Sequence, residues 1–398
     1  MEPNSNEWSW SFWFLVPLYP YGKRRTLRHE VVKDTIWTFE QIQGIFYVVV
    51  PIRMTVVRLE TGGLLVYAPI APTPECIQLL NELVAQHGEV KYIILPTVSG
   101  LEHKVFVGPF ARFFPNAQVF VAPKQWSFPI NLPLSWLGFP RRRTFVLPDD
   151  SRNVPFGDEF DYAILTVDLG RRWFGEVALL HKRSRTLLVT DSVISVPDHP
   201  PAIVQLDPYP LLFHAKENAA DLIQDTPANR CKGWHRICLF ALYFQPEALE
   251  TVTLGEAFQE SFKAPDRSKK AYLGLFPFRW KPSWEAAFRQ MSRQGQLLVA
   301  PILQALILNR APKEAIAWAN RVASWDFQQI IPCHFDAPVT ATPSQFRQAF
   351  AFLEKQPLKG RLLESESASL PKEDVAFLNE LSQTLTKVRV VPPAQDKI

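Results

Sequence analysis

Cysteine is scarce: Cys76, Cys231, Cys238 and Cys333 are the whole complement of a 398-residue chain. So few make no disulfide framework, and Cys231 and Cys238 stand too far apart for a Cys-x-x-Cys redox or zinc motif. A reducing compartment is the expectation. Long apolar runs are missing too. The stretch "LLVAPILQALIL" (297–308) falls short of the ~20 residues that span a bilayer. The N-terminal "MEPNSNEWSWSFWFLVPLYPYGKRR" is interrupted by Pro17 and Pro20, with its acids before the apolar run and its bases after, the reverse of a secretory signal. Neither a Gly-x-Ser-x-Gly elbow nor a glycine-rich phosphate loop occurs, so serine hydrolase and nucleotide-binding readings have no support. Charge of one sign is also lacking. The net charge is +4 with acids and bases interleaved, which argues against nucleic acid as a partner.

What is present is the material of a large core: 47% hydrophobic residues, 12 Trp and 29 Phe against 21% charged, far from a disordered profile. Two β-branched runs flank Gly62-Gly63 in "GIFYVVVPIRMTVVRLETGGLLVYAPI" (44–70), a hairpin signal. "TPECIQLLNELVAQHG" (73–88) has helical spacing, a capping Thr73 and a terminating Gly88. A buried strand follows over 91–96, and others are expected at 117–122, 160–167, 176–191 with a tight turn at "KRSR", and 327–333. The Pro- and Trp-rich stretch 126–144 reads as a packed loop. Helices are expected at 282–293, 296–309, 311–323, 342–355 and 371–386. The pattern predicts an α/β layered domain, divided into an aromatic N-terminal arm (1–43), a main domain (44–358) with a mostly helical insertion at about 195–290, and a C-terminal tail (359–398).

The chemistry-bearing stretch is "KYIILPTVSGLEHKVFVGPF" (91–110), a strand that ends in small residues and then in Glu102 and His103. In three places the residues resemble the metallo-β-lactamase superfamily. "TVSGLEH" (97–103) aligns without a gap to its His-x-His-x-Asp-His motif, with Val98 and Gly100 at the first two His positions, Glu102 at the Asp and His103 at the last His. "RRWFGEVALLHKRSRTLLVTD" (171–191) resembles the strand pair that runs from a ligand His to the bridging carboxylate, with Arg172 at that His and Asp191 at the end. "IIPCHF" (330–335) resembles the strand that delivers the final His, here His334. The wording of "APIAPTPE", "EHKVFVGPFARFFPNAQVFVAPKQWSFP" and "PCHF" is similar to a domain of unknown function of that superfamily met in cyanobacteria and plastid-bearing plants.

The resemblance implies an αβ/βα sandwich of two sheets with outer helices and a metal site at their edge. It also implies a partition: Val98, Gly100 and Arg172 replace ligands of the first metal, whereas Glu102, His103, Asp191 and His334 match those of the second. A single divalent metal (Zn, Fe or Mn) in a reduced site is the expectation, with two imidazoles and carboxylates as a suitable donor set. Arg172 would bind an anionic substrate group or compensate for the missing cation. The alternative keeps the same four residues as inherited hydrogen bonds and ion pairs. Two functions stay open: a single-metal hydrolase of unknown substrate, and a catalytically inactive scaffold or binding protein; the partner in either case is an unknown small molecule or protein. Redox chemistry at iron shares the ligand types but lacks a second-metal site and a flavin signature. A cytoplasmic protein is the expectation; Lys23, Arg24, Arg25 and Arg28 after the aromatic arm suggest peripheral attachment to an anionic membrane surface or to a hydrophobic partner, the alternative being an arm whose Trp residues cover the sandwich. Lys104 and Arg141–Arg143 read as surface charges, and Cys231, His235 and Cys238 as core residues at helical spacing.

Overall fold

The computed structural model describes residues 6–15, 18–98, 102–127, 130–355 and 370–398. A seven-stranded sheet runs in chain order through β1 (Leu27–Val32), β2 (Ile36–Ile45), β3 (Val48–Arg58), β4 (Leu64–Tyr67), β5 (Val90–Leu95), β6 (Gln118–Val121) and β7 (Thr144–Val146). Its first four strands are antiparallel and the rest parallel. The second sheet joins β8 (Phe160–Asp168), β9 (Trp173–His181) and β10 (Thr186–Val189) to the later β13 (Gln329–Pro332) and β14 (Val339–Thr340), in the order β14-β13-β10-β9-β8. Between them in sequence, β11 (Leu249–Thr251) and β12 (Phe278–Trp280) make a separate hairpin.

Strand alternation builds the layers. Leu65, Tyr67, Ile94 and Phe120 of the first sheet meet Tyr162, Val177, Leu188 and Ile331 of the second in one core. Their neighbours point outwards. Val66, Ile93 and Val119 pack on the helices Pro74–His87 and Lys104–Ala111 through Leu80, Phe106 and Phe110. Ala178, Leu187 and Ile330 pack on the helix Pro312–Ala323 through Trp318 and Val322. Helix, sheet, sheet, helix is the αβ/βα sandwich that the motifs imply.

Local signals hold where they are strong. Thr73 caps the helix Pro74–His87 by accepting from the Cys76 amide, and Gly88 ends it at φ 95°, a conformation that favours glycine. Gly62 and Gly63 turn β3 into β4 at φ 75° and 84°. The sheet, however, begins at Leu27 and not at residue 44, so half of the expected arm is structural. Thr38, Glu40, Gln41 and Gln43 on β2 are all buried, and their polarity hides the strand's period. The expected helix 296–309 is shorter, Pro301–Leu306 followed by a 3-10 turn, because a proline cannot donate to a preceding turn. The 195–290 insertion is helical around Pro227–Tyr243 and packs Trp234, Ile237 and Leu242 with Tyr19, Tyr47 and Val49. In the tail, the helix Ala376–Lys387 docks by Leu378 and by Ser382, which accepts from Arg310.

Candidate metal centre

The two sheets meet where β5 ends. Thr97 bridges Glu176 of β9, and the Val177 amide donates to the Pro96 carbonyl at 3.0 Å. On the other side, β10 and β13 are parallel with Val189 opposite Pro332. Two residues beyond that register lie Asp191 and His334, so both leave the sheet at the same end. This is the carboxyl end of neighbouring parallel strands, the usual place for a site.

The structure brings donor atoms of Glu102, His103 and His334 within 4.8 Å of one another. Nε2 of His334 lies 2.9 Å from Glu102 Oε2 and 3.3 Å from Asp191 Oδ1. Asp191 thus touches the cluster through His334. Both imidazoles are oriented by carbonyls. His103 Nδ1 donates to Pro69 O at 3.0 Å, and His334 Nδ1 to Pro51 O at 2.8 Å. A carbonyl only accepts, so each Nδ1 carries the hydrogen and each Nε2 faces the cluster, the arrangement of a metal-ligating His with a carbonyl behind it. His103 Nε2 is buried and has no hydrogen-bond partner among the described residues. An orphaned imidazole nitrogen beside a carboxylate and a second imidazole fits a divalent cation.

Electrostatics separate the two imidazoles. Burial holds His103 below the usual imidazole range, so it is neutral, the ligating form. His334 is pushed the other way: against its burial, Glu102 and Asp191 raise it well above that range. Glu102, a third exposed, is driven down in turn by His334 despite its own desolvation. His103 also holds an unusual backbone, φ 43°, of the kind stored at functional sites.

Buried groups that sequence reasoning missed fix the ligands. Arg53 of β3, paired with Glu40 at 2.7 Å, donates to the carbonyls of Pro332 and Phe335 on either side of His334. Glu176 is fully buried and accepts from the amides of Thr190, Asp191 and Ser192 and the Ser192 hydroxyl, all within 3.0 Å. Burial and Asp191 nevertheless push its pKa up to about 7. Only the register of "GEVALL" with "TLLVTD" pointed to this glutamate. Arg24 is buried too, donating to Ile42 O while its Nε and Nη2 have no hydrogen-bond partner among the described residues, and Glu102 offsets part of its desolvation. It is not a free membrane contact. Arg25 and Arg28 likewise pair with Glu75 and Glu82, which leaves Lys23 of that basic group without an ion pair among the described residues.

The opposite side of the cleft has no ligands among the described residues. Val98 is buried in the inter-sheet core, and a Cβ built on Gly175 would lie 2.3 Å from its Cγ2. Valine and the bare glycine backbone therefore fill each other's space. Lys104, expected on the surface, is 3% exposed and donates to Val98 O at 3.0 Å and Trp126 O at 2.7 Å. Desolvation lowers its pKa to about 8. Arg172 is half-buried and makes no ion pair with Asp191 among the described residues; Gly100 lies outside them. Of the minor candidates, Cys238 is core, His235 stacks on Phe288 at 3.7 Å, and Cys231 contacts His199. Arg143 caps carbonyls of Ala111 and Phe114.

A cavity of about 100 Å³ opens on the cluster, lined by Thr97, Val98, Glu102, His103, Phe174, Gly175 and Asp191. That is below the ~300 Å³ of a typical small-molecule pocket, enough for waters or one small reacting group. A broader depression near Arg58, Glu60, His87 and Arg183 gathers no such donors.

Residues 33–352 match the family described as a domain of unknown function, DUF4336. The chain belongs to that family. No curated protein matches it in sequence. Among solved structures, this DUF4336 protein is similar to the DIM-1 metallo-β-lactamase exposed to ceftazidime, with 12% identity over 43% of this chain and 72% of that one, TM-score 0.33. It is also similar to the metal-soaked Flv1 flavodiiron core from Synechocystis sp. PCC6803, with 9% identity over 83% and 60%, TM-score 0.40. A flavoprotein from Thermotoga maritima gives 10% identity over 85% and 63%, TM-score 0.42. The chain spans less than two thirds of the length of these last two proteins.

Proposed function

We propose that this DUF4336 protein is a single-metal hydrolase whose centre is held by Glu102, His103 and His334, with Asp191 at its edge. The observation that carries the reading is the pair of imidazoles locked by Pro69 and Pro51 with Nε2 turned to one carboxylate, one of them without a hydrogen-bond partner among the described residues. A divalent metal there, Zn, Fe or Mn, supplies Lewis acidity to water or to a carbonyl or phosphoryl oxygen. The chain does the rest. Asp191 lines the cavity a third exposed and accepts a proton from water entering it. The Thr97 hydroxyl, buried on the cavity wall without a hydrogen-bond partner among the described residues, donates to a small polar group of the substrate. Val98 and Phe174 make the remaining wall apolar and limit water.

A second reading rests on a specific observation. His334, Glu102 and Asp191 already form a closed charge network, which a scaffold without catalysis would retain. Metal content per chain after dialysis against trace zinc, iron and manganese separates the two. One metal in the native chain and none in His103→Ala and His334→Ala supports the hydrolase, and hydrolysis of small esters and phosphoesters should then require it. No metal in any of the three supports the scaffold, and two per native chain overturns the reduced site.

A further inference from the structure

Exposed apolar side chains gather far in sequence from the cleft. On the helix Leu254–Ser261, Ala257 and Ser261 face the core, while Leu254 and Phe258, with Phe262 at the helix end, stand out at 86%, 60% and 58% exposure. Their spacing of four places them on one face. Leu273 beyond the following loop, and Ile45 and Phe46 at the tip of the β2–β3 hairpin, are each 59% exposed. The pieces adjoin: the Phe46 ring is 5.6 Å from Tyr272, and the Tyr47 hydroxyl donates to the Lys270 carbonyl. Scattered exposed apolar residues need no explanation, but a joined set on one lobe does.

Charge says what covers it. The loop between helix and Leu273 reads "KAPDRSKK", with Lys263, Arg267, Lys269 and Lys270 exposed against the single carboxylate Asp266. Among the described residues none of these four is ion-paired with a carboxylate, whereas Glu260 of the helix is paired with Arg279 and Glu256 is held by Thr253. Arg267 lies over the Phe262 ring at 4.9 Å, so cation and apolar face are presented side by side.

We infer that the 254–273 lobe, with the tip of the β2–β3 hairpin, docks on the surface of an anionic phospholipid bilayer. The apolar face enters the boundary between headgroups and acyl chains while the flanking cations meet lipid charge. No helix of the described residues is long and apolar enough to cross a membrane, and surface docking needs none. The N-terminal arm contributes Trp13 and Tyr21, whose rings are 6.2 Å apart, not a free basic cluster.

The test is sedimentation of the full chain with vesicles of phosphatidylcholine, alone or mixed with phosphatidylserine. Binding is expected to the mixed vesicles only, and to weaken as salt is raised. Lys269→Ala with Lys270→Ala should lower partitioning about 25-fold, near fivefold for each cation. Phe258→Ser with Phe262→Ser should lower it at least ~10-fold. These side chains are exposed, and unchanged circular dichroism of each variant confirms the fold. Equal binding to both vesicle types, or no binding, overturns the inference. A concentration-dependent dimer in sedimentation velocity that the Phe variants dissolve would make the lobe a contact between copies, and overturns it as well.

Discussion

The two sides of the cleft are built from the same strand ends and yet differ in kind. On one, Glu102, His103 and His334 bring polar atoms within 4.8 Å of one another, each braced from behind or held by charge. On the other, Val98 lies against Gly175 and the buried Lys104 ammonium holds the carbonyls of Val98 and Trp126. This second side is filled by an apolar side chain and carries the charge of a lysine whose pKa burial lowers to about 8. The first side keeps an orphaned imidazole nitrogen, which costs stability unless something binds it.

Three changes break or sharpen this contrast. The largest effect is expected for Glu176→Ala, which strips the acceptor from the amides of Thr190, Asp191 and Ser192. Three buried N–H groups at ~1–3 kcal/mol each, partly rehydrated, give a loss of about 4 kcal/mol in urea unfolding. A loss under ~1 kcal/mol would mean that the Asp191 loop is held by something else.

Acid is the next lever, and it contrasts His334 with imidazoles whose burial outweighs any carboxylate nearby. Burial lowers His214 to about 4, only partly opposed by its bond to the Phe46 carbonyl. His181 falls to about 4 through burial and then Arg183. Their folded pKa values lie below the unfolded ~6.5, so the unfolded chain binds more protons between those limits. The stability these two histidines contribute is therefore full above pH 6.5 and falls as pH drops towards 4, by up to ~3 kcal/mol for each. Glu176, raised to about 7, acts in the opposite sense over the same range, so the difference in unfolding free energy between the native chain and His214→Phe at pH 7 and pH 5 isolates the histidine; a difference that does not change with pH would contradict its buried, neutral assignment.

The smallest change is Gly175→Ala. Its Cβ would meet Val98 Cγ2 at 2.3 Å, an overpacking worth ~1–3 kcal/mol. Adding Val98→Ala should recover most of the loss, a coupling that the double-mutant cycle reads directly. Additive effects would show that valine and glycine do not share one space.

Strong local chemistry was legible from residues alone: the Thr73 cap, the Gly62-Gly63 turn, the "KRSR" turn and the continuous apolar runs of "IILP" and "TLLV" follow from sterics and from the composition of buried strands. β2 was not, since "TFEQIQG" presents as polar residues that only their burial partners explain. Arg53 with Glu40 and Gln41 with the Ala71 carbonyl are contacts that no window of sequence contains. The same limit applies to Lys104 and Arg24, whose flanking sequence looks like that of surface bases.

Amino-acid order by itself determined which side chains were available at the strand ends: two histidines and two carboxylates, alongside a valine, a glycine and an arginine. Tertiary structure alone decided how they act. Parallel pairing of β10 with β13 sets Asp191 beside His334, and two prolyl carbonyls distant in sequence choose the imidazole nitrogen that faces the cleft. Protonation, tautomer and the filling of empty space depend on neighbours in three dimensions, because desolvation and Coulomb energy act through distance and burial and not through sequence separation.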